Sequence, residues 1–447
     1  MRRLQRTVQR SAAGRSVRIA RALLAVAAGV PALGQEAPAP QGAGQDKPEI
    51  PVVRNFEPLP ESMTAAEARA CLDRALLFLT RSQQADGRWG SGVIEGLLDS
   101  GYAVSSWKDW QIGAHGIALI ALMESPESPE RRAALEKGME WLLASPDQKR
   151  GNDWDNDTVW AGVYTYVALA RAAQDPRFQD VKWRPRIDAR AAKALDFLTA
   201  QQVPTGGWGY YDFPYPTQKP KWATSFTTAS VIPALADGTK LGWKVDTGMY
   251  TRARDYVRRC ALPNGAYEYD LNPIPRIDGG EMINNVKGSL GRIQVCNWAL
   301  SSTGEKSVTP DKIREGLAHF FEDHKFLDVA RMRPIPHEAY YANAGYFYFF
   351  GHYYCAQAIN LLPAEEREAW HAKLRPHLAK TLREDGSTSD FHIQSWSVTA
   401  GTAFASAALA LGLPERAGGA AAAPVKSAPA NPGAGAAPAK PPAVIKK

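Results

Sequence analysis

The sequence predicts an all-α protein, an (α/α)6 toroid in which six outer helices surround six inner ones. Three observations lead there. Phe78 to Gly90 (FLTRSQQADGRWG) returns 119 residues later at Phe197 to Gly209 (FLTAQQVPTGGWG), with seven of thirteen positions matched. Weaker copies run from Tyr256 to Tyr267 and from Trp141 to Trp154. The glycines that close the stretch, Gly87, Gly151, Gly206, Gly265 and Gly386, are spaced by 64, 55, 59 and 121 residues. The last gap is two periods, with a degenerate unit near Phe320 to Pro336 between. Finally, predicted helices alternate along the chain between a charged kind and an almost uncharged kind. A fixed period signals a repeat architecture, and a helix apolar all round is buried or lines a cavity. Strand-like alternation is scarce.

The chain has 447 residues, 45% of them hydrophobic. Residues 1–34 carry seven Arg and no acid, then the apolar run Ala22 to Leu33 and small residues at Ala32 to Gly34. This reads as an export signal with a long basic part, which directs the chain to the periplasm or the outside. Twelve apolar residues are too few to span a bilayer, which takes about 20. Residues 35–61 are rich in Pro, Ala, Gly and Gln and read as a disordered linker. Residues 416–447 read as a disordered Ala/Pro-rich tail. The repeat domain is 62–415. The formal charge of +7 comes from the two ends. Without residues 1–34 the chain is neutral, which argues against a nucleic-acid partner. The scattered Cys71, Cys260, Cys296 and Cys355 contain no Cys-x-x-Cys, and buried free thiols fit them better than disulfides.

Outer helices carry good start signals. Thr64 to Glu67 forms a capping box ahead of Ala68, Leu72, Leu76 and Leu79 at helical spacing. Ser128-Pro129-Glu130 opens the next. Ile187–Gln202, Asp246–Cys260, Pro310–Phe326 and Pro363–Leu382 continue the set, each with a charged face. The inner helices are Ile112–Met123, Val159–Ala172, Thr224–Leu235, Gly291–Leu300, Tyr346–Leu362 and Trp396–Leu411. In the repeated stretch Gly supplies a left-handed turn at a helix end. Gln83 and Gln202 can hydrogen-bond an exposed helix end, and Trp89 and Trp208 can cover the joint, burying about 150–250 Å² each. These are structural staples.

A basic residue, an aromatic-Leu pair, Gln and then Gly-x-Trp resembles the QW repeat of squalene-hopene and oxidosqualene cyclases and of protein prenyltransferase β subunits. Arg74–Gly90 and Lys193–Gly209 carry the resemblance best, and it extends over about 62–415. The resemblance to this prenyltransferase and squalene-cyclase repeat superfamily implies an inner cavity for isoprenoid chains. Fold alone does not imply activity.

Inner helices of such a barrel start at one common mouth. The starts offer Trp110 and His115; Asp153, Asp155, Asp157 and Trp160; Trp222, Thr224 and Ser225; Asn284, Arg292, Gln294 and Cys296; His337, Tyr340, Tyr346 and His352; and Asp390, His392 and Trp396. Polar and aromatic groups gathered at one end of apolar helices suit a ligand pocket. The cyclases carry their proton-donating Asp in an Asp-x-Asp-Asp-Thr segment, and Asp153 to Thr158 is similar, with Asn156 breaking the acid pair. On that resemblance Asp155 and Asp157 are the expected proton donors, with His352 as a polar catalytic partner. Trp110, His115, Trp160, Tyr164, Trp298, Tyr346, His392 and Trp396 are the expected ligand contacts. A competing role for Asp155 and Asp157 is to cap the Val159 helix.

The prenyltransferases bind zinc through Asp-x-Cys and a His one repeat later. Cys296 and His352 fit that spacing, but Gln294 stands in place of the Asp, so no metal and no cofactor is expected. A non-catalytic exported binding or scaffold protein, and a carbohydrate-active α/α barrel with paired carboxylates, are the other readings. The expected partner is a hydrophobic small molecule of isoprenoid or lipid type, with peripheral membrane contact to reach it. Oligomeric state is not legible.

Overall fold

The computed structural model describes residues 59–90, 104–149, 157–210, 222–271, 283–391 and 396–414. All belong to Pro58–Lys447, the second of two units into which the chain divides. The expected signal and the expected tail lie outside the described residues, as does all but the end of the expected linker.

The outer helices are α1 (Ala65–Ser82), α3 (Pro129–Ala144), α5 (Arg184–Gln201), α7 (Thr247–Arg259), α9 (Pro310–Glu322) and α12 (Ala364–Ala379). The inner ones are α2 (Val104–Glu124), α4 (Thr158–Ala172), α6 (Ser225–Lys240), α8 (Leu290–Ser302), α11 (Phe347–Ile359) and α13 (Trp396–Leu411). A short α10 (Lys325–Ala330) follows α9. Each inner helix packs on the inner helices before and after it, and α13 packs on α2, so the inner ring closes. Each inner helix also packs on the outer helix that follows it, with α13 on α1 completing the cycle. The protein is an all-α, six-fold α/α toroid. Among the described residues the one β-type pairing is an isolated bridge, Ala261 to Tyr267. No described helix is long and apolar enough to cross a membrane.

Caps explain the outer helix starts. Thr64 Oγ1 accepts from the Glu67 N–H, and Glu67 accepts from the Thr64 N–H at 2.9 Å. Ser128 and Thr309 cap helices whose first residue is Pro. Several bounds differ from the sequence reading; helix α6, for one, runs on to Lys240 rather than ending at Leu235. Helix α2 begins at Val104 rather than Ile112, because Lys108 and Asp109 interrupt the apolar run without breaking the helix. The expected Pro310–Phe326 helix breaks at Asp323, whose φ of −101° and ψ of 11° end α9 before α10 begins.

Among the described residues the repeated stretch folds as one turn used four times; Gly151, which closes a further copy in the sequence, lies outside them. Gly87, Gly206, Gly265 and Gly386 all have φ between 81° and 111°, where a Cβ is resisted. In each, the glycine N–H donates to the carbonyl three residues back (Gln84, Val203, Leu262, Arg383) at 2.9–3.1 Å. Gln83 Nε2 donates to the carbonyls of Gly87 and, in the next outer helix, Ala134, both at 2.9 Å. Gln202 repeats this with Gly206 and Met249. Trp89 and Trp208 are buried, and their indole N–H groups donate to the carbonyls of Leu79 and Leu198. These side chains hold one repeat to the next.

Candidate functional site

At the starts of the inner helices lies a cavity with about 420 Å³ of empty space, counting the open solvent at its mouth. Its described lining is Trp110 from α2, Trp160 and Tyr164 from α4, Phe226 from α6, Tyr346, Phe347 and Phe350 at α11, and Asp390, Trp396, Ala400, Gly401 and Phe404 at α13. Close approach of the inner helices sets the wall. Trp110 stacks on Trp396 with ring centres 4.0 Å apart and planes 4° from parallel, and on Trp160 at 5.4 Å. Phe226 meets Phe347 and Phe350 edge to face. Flat π faces around an apolar space suit a hydrocarbon, and they stabilise a positive charge passing over them.

Asp390 is the one carboxyl among the described lining residues. It is buried, at 5% exposure. One oxygen accepts from the Phe349 N–H at 3.2 Å and the other from the Ser397 hydroxyl at 3.1 Å. Burial pushes its pKa up to about 7, against the pull of those two hydrogen bonds and of Arg331. About half of it is therefore protonated at neutral pH, and the protonated half is in the state a general acid must be in.

A polar rim adjoins the cavity. Tyr346 donates its hydroxyl to His337 Nε2 at 2.8 Å, since His337 Nδ1–H is committed to the Ala342 carbonyl at 2.7 Å. His337 sits on strained backbone (φ 65°), with Met332, Tyr341 and Ala342 also at positive φ. Burial is the first cause that raises the pKa of Tyr210, Tyr269 and Tyr346, and the charge of Asp157 adds to all three. Asp157 and three phenols thus share one neighbourhood. Buried Arg292 lies over the Tyr269 ring at 5.4 Å and donates to the Ile283 carbonyl, and burial lowers its pKa to about 10.

Trp110, Trp160, Tyr164, Tyr346 and Trp396 are brought together around the cavity. Asp155 and His392 lie outside the described residues. Asp157 occupies the N-cap position of α4, but its side chain makes no cap hydrogen bond. Three of the expected site residues are placed elsewhere. His115 is fully buried between Trp89 and Trp141; its Nδ1 faces the Trp89 N–H and its Nε2 the Gly138 carbonyl at 2.9 Å. Thr228, Ser289 and Thr402 receive the equivalent N–H of Trp208, Tyr267 and Thr388, so His115 serves as the first repeat's version of that acceptor. Burial lowers its pKa to about 4. Trp298 lines a different recess, with Tyr353 and Gln357, at the far ends of the inner helices. His352 is absent from the cavity lining and faces His324 and Phe320 instead.

Among the described residues no group of three metal-ligating side chains includes Cys296 or His352, and both ring nitrogens of His352 are engaged, with His324 and the Tyr348 carbonyl. Cys296 is buried, and burial raises its thiol pKa, with Arg292 and Ser225 as neighbours. The Gln294 amide nitrogen donates to the carbonyls of Leu290 and Gly316, and its Oε1 is buried with no hydrogen-bond partner. All four cysteines are free. Asp390 and His337 stood among the mouth residues in the sequence reading but were given no role there. Their signal was position, at the starts of inner helices, without a motif to single them out.

No protein-family model and no curated protein matches this chain. Similar solved structures include the type II terpene cyclase MstE from Scytonema, seen with its substrate geranylgeranyl dihydroxybenzoate: 14% identity over 78% of this chain and 97% of that one, TM-score 0.44. They also include a possible member of the GH105 family from Klebsiella pneumoniae (12%, 83% and 98%, 0.47). A third is the GH76 α-mannanase from Bacteroides thetaiotaomicron (11%, 76% and 95%, 0.46). Likeness at this level gives no argument for a shared activity.

Proposed function

We propose that the cavity takes an apolar small molecule of isoprenoid or lipid type and that Asp390 gives it a proton. One observation carries this reading: a single carboxyl of raised pKa is set into a wall of aromatic faces. Asp390 protonates an alkene carbon or an epoxide oxygen. The resulting cation is held over Trp110, Trp160, Trp396 and Phe226. It loses a proton at once, or first closes on a second double bond, which moves the positive charge to a new carbon, and then loses a proton; the Asp390 carboxylate or water takes that proton, and in both cases the product is an isomer of the substrate. Asp157, at the phenol-lined rim, is the second acid of this proposal, and with Asp155 it keeps the role that the resemblance to the cyclases implies. The hydrogen-bonded Gln and Trp staples support a squalene-cyclase-like reading. Ile335 and Tyr340, exposed on the loop that carries His337, support delivery of the substrate from a membrane surface. The Arg-rich start supports export. A glycosidase would need a second carboxylate across the cavity, and Asp390 is the single carboxyl of the described lining.

The test incubates the purified chain with linear polyprenoids and their epoxides and looks for cyclised or isomerised product by mass spectrometry. Product is expected from the wild type, with a rate that falls as pH rises through about 7, where Asp390 loses its proton. Asp390→Asn should lower the rate by ~100-fold or more. Bound lipid with no product would turn the reading to a binding protein. Product that survives in Asp390→Asn but not in Asp157→Asn would move the acid to the rim.

A further inference from the structure

Behind α11, on the side away from the cavity, three residues from three separate places in the sequence meet. His324 stands at the junction of α9 and α10, Asp328 one turn on in α10, and His377 in the last turn of α12. We propose that these three side chains bind one divalent cation of the imidazole-preferring, zinc-like class. Each offers one ligand atom, and the three atoms lie within 4.8 Å of one another.

Hydrogen-bond direction supports the assignment. The Tyr348 carbonyl can only accept, so its 2.6 Å contact places the proton of neutral His352 on Nδ1. His352 Nε2 is then an acceptor, and its 2.9 Å contact with His324 Nε2 places the His324 proton there. That leaves His324 Nδ1 as a bare lone pair 3.0 Å from Asp328 Oδ2. Two acceptors at this distance repel unless a positive charge is shared between them. A third donor atom is to hand: His377 Nδ1 is buried and has no hydrogen-bond partner. Tetrahedral zinc, with bonds of ~2.0–2.1 Å, spaces its ligand atoms by ~3.3 Å, close to the 3.0 Å between His324 Nδ1 and Asp328 Oδ2; the His324 and His377 rings, 3.6 Å between centres, turn apart to bring both lone pairs onto one ion.

The donor set chooses the ion. Two imidazoles and one carboxylate suit zinc and its neighbours, whereas calcium and magnesium prefer an all-oxygen shell. His352, hydrogen-bonded behind His324 and fixed in turn by Tyr348, is the outer partner that orients a metal-bound imidazole. Lys380 Nζ lies 2.6 Å from Asp328 Oδ1, so Asp328 binds through Oδ2 alone, and the ammonium reduces the site's affinity. The Asp328 side chain is 36% exposed, which gives the ion a way in from outside. Bound there, the cation clasps α12 to the α9–α10 junction across the back of α11.

The experiment strips the full-length chain with a chelator and titrates it with Zn2+, and with Co2+ as a spectroscopic stand-in. One equivalent of either ion should bind, Co2+ should show visible bands of low-symmetry coordination, and Zn2+ should raise Tm. Asp328→Asn and His377→Gln should each weaken binding by about tenfold or more with an unchanged helical CD spectrum. Cys296→Ala should bind as the wild type does. If His377→Gln does not fold, Asp328→Asn, at a partly exposed position, decides by itself. No uptake of either ion overturns the proposal and makes His324 an imidazolium paired with Asp328. Uptake indifferent to Asp328→Asn, or lost in Cys296→Ala, overturns it as well.

Discussion

Asp390 keeps its proton up to about pH 7 because its cavity disfavours the charge; in an unfolded chain it would lose it near pH ~4. Between those values the folded chain holds more protons than the unfolded one, so stability falls as pH rises through that window. Asparagine cannot ionise. Asp390→Asn should therefore gain on the wild type from about pH 4 to 7 and hold its advantage above, by up to ~4 kcal/mol. Paired melting curves at pH 5 and pH 8 check this, and an equal Tm difference at both would remove Asp390's charge from the account. His115 acts with the opposite sign. Its folded pKa of about 4 lies below the ordinary value, so its contribution is complete above pH ~6.5 and is lost as pH falls toward 4. At this scale the sequence was legible in part. Trp110, Trp160, Tyr164 and Trp396 could be read because apolar inner helices put most of their large side chains either into the cavity or against a neighbour. His115 and His352 could not be aimed. An inner helix is apolar all round, so no amphipathic pattern tells its cavity side from its outer side.

Helices α2 and α4 touch backbone to backbone, and this brings Trp110 over Trp160. A Cβ added to Gly116 would come within 2.6 Å of the Tyr164 carbonyl oxygen, but one added to Gly113 meets the Trp160 carbonyl at 3.4 Å, an ordinary contact. Gly116→Ala should cost about 1–3 kcal/mol by overpacking. Gly113→Ala, one turn earlier on the same helix, should be neutral or stabilising by up to ~1 kcal/mol, since Ala is the better helix former. Chemical denaturation of both variants checks the pair, and equal losses would mean the helices are not in contact as described. The four-fold turn shows what is legible in an element. Gly87, Gly206, Gly265 and Gly386 keep their glycine because positive φ excludes a side chain. The residue two places on varies from Trp89 to Tyr267 to Thr388, because its N–H, not its side chain, makes the shared bond to the inner helix. The glycine spacing could therefore be followed where the aromatic pattern had faded. The break between α9 and α10 had no such marker, and the sequence reading ran through it.

Closure of the ring decides how the whole molecule stands. A Cβ on Gly87 or Gly206 would strike the carbonyl oxygen of Lys137 or Arg252 in the next outer helix at 2.4 or 2.5 Å. A Cβ on Gly386 would strike that of Arg74 in α1 at 2.3 Å, so the last repeat meets the first through the same contact. Two straps secure the joint. The Met63 N–H donates to the Ala372 carbonyl at 2.9 Å, and Arg375 donates to the carbonyls of Met63 and Gly412 at 3.1 and 2.7 Å. An open solenoid is a sum of repeats and their nearest-neighbour interfaces, and it survives the loss of an end repeat with proportionally less stability. A closed ring loses two interfaces at once. A chain ended after Leu362 lacks α12 and α13. Helix α1 then has no inner partner, Trp110 loses the ring it stacks on, and the apolar sides of α2 and α11 face water. Such a chain should keep much of its helical far-UV signal, lose the sharp thermal transition of the full chain, and bind a hydrophobic dye strongly. Calorimetry beside dye fluorescence makes the measurement. A cooperative melt at a modestly lower Tm, without dye binding, would show that the six repeats stand as a stack and that closure adds nothing beyond one more interface.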